Sequence, residues 1–413
     1  MNDYRNVWAL IAAAAFLQLG IGILGVVTPL GLETLGVSPA LIGAIAAAHA
    51  IGFMAGAYTA TKSVILFGNI RVFSAGAAIS AASVLAMQLS LDPWGWTLAR
   101  VLQGAAFAWM FSSIESWLGA TVSAKNRGSV SGFYHLIAKI ALVSGPFLIA
   151  GLAPIDFRPY LWCGLFLALS LLPVCLTRRG EPPPPSVEPL AFRRLFEIAP
   201  SAVIGVFLAG MINSGTMALL PIYAGVALPD AGGGATGAAA LAAAAAWTGG
   251  LISQWPAGRV SDHIDRRTVI AVMGGVAGIA ALVLGLFPGL PELWILIAIG
   301  FWGAGSLSFY GISVAHAIDR AETSQIARVM SGLLFVWAAG SVLGPPLSGI
   351  AFRLPFTDGG LFLLAAILSV ALTASMLYRR SRRQDVPKEA QEPWNITLPS
   401  TASTGELDPR TEG

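Results

Sequence analysis

The sequence predicts an all-α membrane protein with twelve transmembrane helices in two six-helix halves. Of its 413 residues, 56% are hydrophobic and 11% are charged, whereas soluble domains carry roughly 25% charged residues. Its mean hydropathy is +0.74. Apolar stretches recur along the chain, and each is long enough to cross a hydrocarbon core of roughly 30 Å as a helix. A soluble protein is therefore excluded, and a lipid bilayer is the expected surrounding.

The apolar stretches fill most of the chain between residues 6 and 378. Lipid offers no hydrogen-bond partners to a backbone, so a spanning segment is either a helix or part of a closed barrel. The alternating pattern of a barrel strand is absent from the sequence. We place the spans at residues 6–31, 39–61, 71–91, 95–119, 129–153, 159–177, 199–225, 237–257, 268–287, 292–317, 329–352 and 359–378.

Basic residues crowd alternate connections between the predicted spans. One set of connections contains Arg5, Lys62, Arg71, Lys125, Arg127, Arg178, Arg179, Arg193, Arg194, Arg259, Arg266, Arg267, Arg320 and Arg328. The opposite set keeps little more than Arg158 and Arg353 and carries Glu33, Asp92, Asp230, Glu292 and Asp358. Short connections rich in Lys and Arg remain in the cytoplasm. The asymmetry predicts cytoplasmic N and C termini and a multi-pass location in the plasma membrane, which in bacteria is the inner membrane.

A polar linker divides the spans into six and six. After the sixth span the chain reads Arg-Arg-Gly-Glu and then four consecutive prolines, which make a stiff connection. Ser-Gly pairs at 131–132 and 331–332 open the fifth and eleventh spans, which indicates a parallel repeat. The predicted domains are the N-terminal half 1–177, the cytoplasmic linker 178–198, the C-terminal half 199–378 and a polar tail 379–413, which we expect to be disordered.

The sequence contains no motif for a cofactor or for covalent catalysis. The segment from Gly20 to Gly25 fits the dinucleotide pattern G-x-G-x-x-G, but it lies inside an apolar span with no preceding strand. Small residues at such spacing more often let membrane helices approach closely. No Walker loop, metal cluster or nucleophile elbow is present. We therefore predict no enzyme activity, cofactor or metal site, and the net charge of +3 reflects topology and not nucleic-acid binding.

Four ionisable residues lie inside predicted spans, namely Arg100, Glu115, Lys139 and His49. A charge near the bilayer centre costs at least roughly 2.5–3.5 kcal/mol, so each is a candidate functional residue. For Arg100 and Lys139 the alternatives are a place beside the substrate path and a structural bond to backbone carbonyls. His49 is either a hydrogen-bonded packing residue or a proton relay.

The fourth and fifth spans present polar residues on shared helix faces. At about 100° per residue, Arg100, Gln103 and Glu115 share a broad face of the fourth helix. On the fifth helix His135 and Lys139 share a face, and Lys139 lies near the predicted midplane. These faces predict a polar surface toward a cavity or a partner helix.

The connection after the eighth span carries the strongest motif. Gly258, Asp262, Arg266 and Arg267 fill positions of the signature loop of the major facilitator superfamily, which the sequence resembles here, while Asp265 stands in place of the second glycine. In that family the acid pairs with nearby cations and a facing helix end when the cytoplasmic gate is shut. The resemblance implies the same role for Asp262.

The matching connection in the first half lacks the acid. It keeps Arg71 but has Ile65 where the acid would stand, and Arg127 is a further cation expected at the gate. Glu115 therefore has two alternative roles. It either forms a structural gate pair with Arg127 or a neighbouring histidine, or it carries a proton.

Further motifs strengthen the family resemblance. Residues 98–104 resemble the motif R-x-x-Q-G, whose arginine, here Arg100, points into the central cavity in that family. The Gly-Pro pair at 145–146 partly matches a pattern associated with antiporters. The segments 115–118, 126–128 and 310–320 resemble the bacterial YcaD-like branch, and the resemblance extends over residues 6–378.

The resemblance implies a transporter that works by alternating access at a midplane site. Further residues expected along its pathway are Gln18, Asn213, Gln254, Tyr310 and Trp337. We predict a monomer that exports a small organic solute in exchange for protons. The alternatives are a proton-symport importer of a small metabolite and a membrane sensor or lipid-handling protein that transports nothing.

Overall fold

The structure is a computed structural model that describes residues 2–122, 124–177, 191–322, 325–353 and 359–382, together with Gln391 and Trp394. The side chains of residues 2–6, 124, 125, 127 and 128 lie outside this description. The described residues form α-helices and one 3₁₀ helix, and they contain no β-strand. The predicted all-α fold class is therefore confirmed.

The N-terminal half contains seven α-helices among its described residues. They are α1 Asn2–Thr34, α2 Pro39–Phe67, α3 Asn69–Leu89, α4 Pro93–Thr121, α5 Ala124–Ser144, α6 Phe157–Leu169 and α7 Leu171–Cys175, with a 3₁₀ helix, Gly145–Ile149, after α5. The starts of α2 and α4 follow local sequence rules. Ser38 and Asp92 each accept a bond from a backbone N–H of the first helical turn, and a proline occupies the first helical position.

The C-terminal half follows a short helix, α8 Phe192–Ile198, which is the described end of the predicted linker. Its helices are α9 Pro200–Ala227, α10 Gly234–Ser261, α11 Arg266–Leu286, α12 Glu292–Ser306, α13 Phe309–Ile318, α14 Ile326–Ala351 and α15 Gly360–Arg382. Residues 178–190 of the linker and most of the predicted tail lie outside the described residues.

Eleven helical segments of the described part are long and apolar enough to cross a membrane. Helix α4 is not among them, although its 29 residues would extend about 43 Å. Its polar residues, Arg100, Gln103 and Glu115 among them, lower its hydropathy. With α4 as the fourth, the spans number twelve, and the polar span is the one that carries the strongest functional candidates.

Three predicted spans are not continuous helices. The sixth is divided at Ser170 between α6 and α7, and the tenth is divided between α12 and α13. The fifth passes into the 3₁₀ helix at Gly145–Ile149, where Pro146 cannot donate a helical hydrogen bond. In the opposite direction, α10 continues to Ser261, a few residues beyond the predicted end of the eighth span, so Gly258 lies in its last turns.

The two halves meet mainly through α2 with α14, α1 with α9 and α10, and α10 with α5 and the 3₁₀ helix. A Cβ on Gly43 would lie 2.1 Å from the carbonyl oxygen of Pro345, and one on Gly349 would lie 2.2 Å from that of Pro39. The backbones of α2 and α14 therefore touch at the end opposite the termini. We call this contact the glycine seam.

A second contact joins the halves at the same end. The N–H of Gly151 donates to the carbonyl oxygen of Gly233 at 2.9 Å, and the hydroxyl of Thr236 donates to the carbonyl oxygen of Leu152 at 3.1 Å. The end of the bundle that the charge pattern assigns to the outside is thus closed by backbone contacts.

Candidate functional site

Two neighbouring chambers lie between the halves. The upper chamber has a volume of about 350 Å³ and extends toward the glycine seam. The lower chamber has a volume of about 210 Å³ and extends toward the termini. Residues of both halves line each chamber, and those common to the two are Gln18, Phe111, Lys139, Trp247 and Trp337. The chambers are therefore two parts of one central cavity.

A cation–π contact crosses the cavity from one half to the other. Nζ of Lys139 on α5 lies 3.7 Å from the ring centroid of Trp247 on α10. Such a contact is worth about 2 kcal/mol or more when it is shielded from water. Sequence reasoning predicted Lys139 but missed Trp247, whose signal is a lone large aromatic residue at the end of the alanine-rich segment 238–246.

Arg100 faces the upper chamber from α4. Its Nη1 donates to Oε1 of Gln103 at 3.0 Å, and the amide of Gln103 donates to Sδ of Met87 at 3.5 Å. Gln103 is fully buried and is not among the residues that line the two chambers. It therefore holds one edge of the guanidinium, while Nε of Arg100 is buried without a hydrogen-bond partner.

His49 lines the same chamber from α2. Its ring packs edge-on against Phe107, with centroids 5.7 Å apart, and its Nδ1 has no hydrogen-bond partner. The aromatic contact fits a packing role, and the unpaired nitrogen leaves a proton-accepting atom beside Arg100. Both interpretations of His49 remain open.

Glu115 lies in the lower chamber and has no solvent-exposed surface. His135 and Lys139 line the chamber with it, as the shared helix faces predicted. Tyr134 and Tyr310 also line it, and both phenols are close enough to Glu115 to interact with its charge. Tyr310 belongs to the C-terminal half, so Glu115 faces both halves.

The amides of Asn213 and Gln254 support the break between α12 and α13. Asn213 donates to the carbonyl oxygen of Ser306 at 3.1 Å, and Gln254 donates to that of Leu307 at 3.0 Å. Ser253 donates to the carbonyl oxygen of Ala304 at 2.7 Å. A broken membrane helix needs such partners for its freed carbonyls. Both predicted amides line the lower chamber, but their nitrogens donate hydrogen bonds to backbone carbonyls and not to the cavity.

A buried ion-pair network lies at the end of the C-terminal half near the termini. Nε of Arg266 lies 2.5 Å from Oδ2 of Asp319, and both side chains are 1% exposed. Nη1 of Arg266 also donates to Oδ1 of Asp262 at 3.1 Å and to the hydroxyl of Ser261 at 2.9 Å. Asp262 and Arg266 thus meet as the motif predicted. Asp319, which sequence reasoning left without a role at the gate, supplies the more deeply buried acid.

Asp265, the departure from the signature loop, caps α11. Its Oδ1 accepts a bond from the backbone N–H of Arg267 at 2.9 Å, and its carboxylate pairs with the Arg267 guanidinium at 2.7 Å. Burial opposes a charge on Asp265, but the bonds and charge of Arg267 outweigh it and hold the pKa of Asp265 below its usual range. Arg267 also donates to the carbonyl oxygen of Arg379 at 3.1 Å.

The first half has no equivalent network within the described residues. Arg71 is exposed and forms no ion pair with any residue that the structure describes. The side chain of Arg127 lies outside the described residues, so its predicted pairing stays a prediction. Among the described residues, the predicted gate residues that lie in contact, Asp262 and Arg266, belong to the C-terminal half.

Trp394 docks on the signature loop. Its backbone N–H donates to Oδ1 of Asp262 at 2.8 Å, and a Cβ on Gly258 would lie 2.2 Å from the indole ring. The indole is partly buried against the core of the bundle. Gly258 is thus the place where this ring approaches the backbone of α10. The signal in the sequence was a single large aromatic residue in a polar tail.

Curated relatives resemble the chain over nearly its whole length. An uncharacterized MFS-type transporter of Yersinia pseudotuberculosis serotype O:3 (strain YPIII) is 25% identical over 403 residues, which cover 94% of this chain and 100% of the relative. The uncharacterized MFS-type transporter YcaD of Shigella flexneri serotype 5b (strain 8401) is 24% identical over 373 residues, covering 89% and 94%. The predicted resemblance to the YcaD-like branch is confirmed.

Solved structures share the fold at low sequence identity. A mutant of the nucleoside transporter NupG aligns with a TM-score of 0.73 and 14% identity, covering 90% of this chain and 99% of that chain. A D-xylose-proton symporter aligns with a TM-score of 0.70 and 16% identity, covering 94% and 99%. The sequence profile of the Major Facilitator Superfamily matches residues 10–229 and 204–403. The chain, with two six-helix halves around a shared cavity, therefore belongs to the Major Facilitator Superfamily.

Proposed function

We propose that this protein is a secondary transporter that exports a small organic solute in exchange for protons. The observation that carries the proposal is a cavity between the halves that contains a fully buried carboxylate, Glu115, together with Lys139. Secondary transporters bind their solute and coupling ion at such a midplane interface. Membership of the superfamily supports transport, and the buried carboxylate supports coupling to protons.

Alternating access requires that each end of the cavity can close. The glycine seam and the bond between Gly151 and Gly233 hold the halves together at one end. In the proposed cycle the halves, residues 1–177 and 199–378, rock so that this end opens and the other closes. The chain acts as a monomer in the bacterial plasma membrane, with both termini and the linker in the cytoplasm.

Glu115 is the proposed proton carrier. A charge inside the membrane costs at least roughly 2.5–3.5 kcal/mol, and a bound proton removes that cost. The phenols of Tyr134 and Tyr310 and the ring of His135 provide polar groups around it. The alternative, a purely structural pair at the gate, predicts that neutralising Glu115 alters stability without changing the dependence of transport on pH.

Uptake by proton symport is the second candidate, and one observation favours it. Glu115 and Lys139 line the same chamber. An anion held by Lys139 and a proton on Glu115 would stabilise one another, because the proton removes a like charge from the neighbourhood of the anion. Solute and proton would then travel in the same direction.

Inverted membrane vesicles from overproducing bacteria test the proposal. Respiration acidifies their interior, and a pH-sensitive dye reports the gradient. The probes are a panel of small organic acids, amines and neutral metabolites, guided by the tolerance and exported metabolites of a deletion strain. We expect at least one compound to dissipate the gradient. We expect Glu115→Gln to abolish this response, while Glu197→Gln, which changes a half-exposed carboxylate on α8, preserves it.

The other outcomes separate the alternatives. Solute-driven alkalinisation outside right-side-out vesicles would identify symport and contradict export by exchange. Absence of flux for every compound, in the presence of binding, would identify a sensor. Full pH-driven transport by the Glu115→Gln variant would exclude Glu115 as the proton carrier.

A further inference from the structure

We infer that the central cavity binds an organic anion, whose acidic group lies between Arg100 and Lys139 and whose apolar part packs in the upper chamber. The inference rests on the proposed function only in taking the cavity as the solute site, and it holds for either direction of transport. It follows from the charges that line the cavity, the unpartnered Nε of one guanidinium, and the size and chemistry of the walls.

The upper chamber contains two basic side chains and no carboxylate among its lining residues. Arg100 and Lys139 both face it, and neither forms an ion pair with a residue that the structure describes. Two like charges in a membrane interior are costly. A bound anion would offset this cost, whereas a cationic solute would increase it. The chamber therefore selects for negative charge.

The guanidinium of Arg100 keeps an unpartnered donor for a planar acid group. Nη1 is held by Gln103, whereas Nε is buried and has no hydrogen-bond partner. Nε and Nη2 form one edge of the guanidinium, and that edge matches a carboxylate through two parallel hydrogen bonds. Because Gln103 fixes the opposite side, little conformational freedom is lost when the acid group binds. Arg100 is thus the proposed directional contact.

Lys139 supplies a second, adjustable contact. Its ammonium lies on the ring of Trp247 and lines both chambers. The ring compensates the ammonium charge only in part, and the flexible stem lets Nζ reach an anion without leaving the cavity. An anion contacted by Lys139 also lies against Trp247 of the other half. Solute binding would therefore be sensed by both halves.

The walls indicate an organic rather than an inorganic anion. A volume of about 350 Å³ lies within the range of small-molecule sites, roughly 300–1,000 Å³. Aromatic side chains in the walls are Phe53, Phe107, Phe111, Trp247 and Trp337. A small inorganic ion would leave these faces without a partner, whereas an apolar skeleton would cover them.

Ligand-induced thermal stabilisation of the purified, detergent-solubilised protein tests the inference without requiring transport. The probes are benzoate, benzamide and benzylamine, which share a ring and differ in charge, and hexanoate with hexanamide. We expect each carboxylate to bind at least about tenfold more tightly than its amide, as charge-assisted bonds to a guanidinium imply. Tighter binding of an amide or of the amine would overturn the inference, as would equal stabilisation across the series.

Variants locate the site. Arg100→Gln and Lys139→Gln are each expected to weaken carboxylate binding about tenfold and to leave amide binding unchanged. Lys139→Arg retains the charge and is expected to preserve binding, which guards against misfolding as the cause. Arg193→Gln, at an exposed cation on α8, is the control. Carboxylate preference that survives in both glutamine variants would contradict this site. Selective binding without flux would refute transport while leaving the anion site intact.

Discussion

The guanidinium of Arg266 and the carboxylate of Asp319 form a two-point ion pair, with Nε 2.5 Å from Oδ2 and Nη2 3.2 Å from Oδ1. The pair joins the start of α11 to the end of α13 across 53 positions of sequence. Both side chains are 1% exposed. The pair therefore fixes the end of α13 relative to the start of α11 and the signature loop.

Removing one partner of this pair leaves a buried charge without compensation. We expect Asp319→Asn to destabilise the protein by on the order of 3–5 kcal/mol, measured as a fall in the thermal unfolding temperature in detergent. Asp262→Asn should have a smaller effect, because Asp262 is 24% exposed. The double variant Arg266→Gln with Asp319→Asn should lose less than the sum of the single losses, and additive losses would show that the pair is not coupled.

The carboxylate of Asp265 predicts a stability that depends on pH. Its pKa in the folded protein lies below its usual value because Arg267 outweighs burial. Its contribution is therefore complete above the usual Asp range, near pH 3.9, and is lost as the pH falls through the folded pKa. We expect Asp265→Asn to lower the unfolding temperature at pH 7 and to match the unmodified protein at the lowest pH.

Two further basic residues lie close to Asp265. Arg380 lies 4.0 Å from its carboxylate, and the charge of His316 also lowers the pKa of Asp265. Asp156→Asn provides the control, because Asp156 pairs with the exposed Arg158 and such pairs contribute little. A difference between the unmodified and Asp265→Asn proteins that grows toward low pH would contradict the assignment.

Under the proposed cycle, the glycine seam predicts how to open its end of the cavity. A methyl group at position 43 or 349 would collide with the backbone across the seam. We expect Gly43→Ala to open that end and to raise the labelling of a cysteine at Thr28, in the upper chamber, by roughly tenfold, which corresponds to about 1.4 kcal/mol. The measurement uses a membrane-impermeant maleimide and a background without the two native cysteines.

Gly275→Ala is the matched control for the seam. A Cβ at position 275 on α11 meets nothing within 4 Å, so this alanine should leave the labelling rate unchanged. Gly349→Ala should act in the same direction as Gly43→Ala. Labelling that stays at the unmodified rate in both seam variants would show that α2 and α14 do not gate this end.

Docking of Trp394 predicts the protease sensitivity of the tail. Trp394→Ala removes the indole from Gly258, and Gly258→Ala places a methyl group where the ring lies. We expect both changes to speed tryptic cleavage after Lys388 by roughly tenfold, because a protease acts on the chain near a docked residue mainly when that residue detaches. Gly275→Ala should cleave at the unmodified rate. Identical rates in all four proteins would mean that the tail is not held by this contact.

The sequence was sufficient for the number and order of the spans, because each crossing needs its own run of apolar residues. It did not reveal the break between α12 and α13, since no proline marks it and the freed carbonyls are satisfied by Asn213 and Gln254 from other helices. The intrinsic pattern around residue 307 is that of a continuous helix. Only the hydrogen bonds from these tertiary partners stabilise the break.

The candidate site residues divide in the same way: local patterns predicted some of them, and others depend on tertiary partners. The helix faces of α4 and α5 brought Glu115, His135 and Lys139 to one chamber, because their periodicity is local. Trp247 and Asp319 were not predicted, because their partners lie on distant helices and the local sequence around each residue does not indicate those partners. Gln103 was predicted as a pathway residue, yet it does not line either chamber and instead accepts a hydrogen bond from Arg100.

The contact between Trp394 and Asp262 has a practical consequence for work with this protein. Nineteen residues follow Trp394, so an affinity tag fused after Gly413 leaves the contact in place. A chain shortened after Arg382 loses it and exposes Oδ1 of Asp262 to another donor. Shortening the tail to aid crystallisation would therefore remove a contact of the signature loop, and activities measured on such a protein would describe a loop with altered contacts.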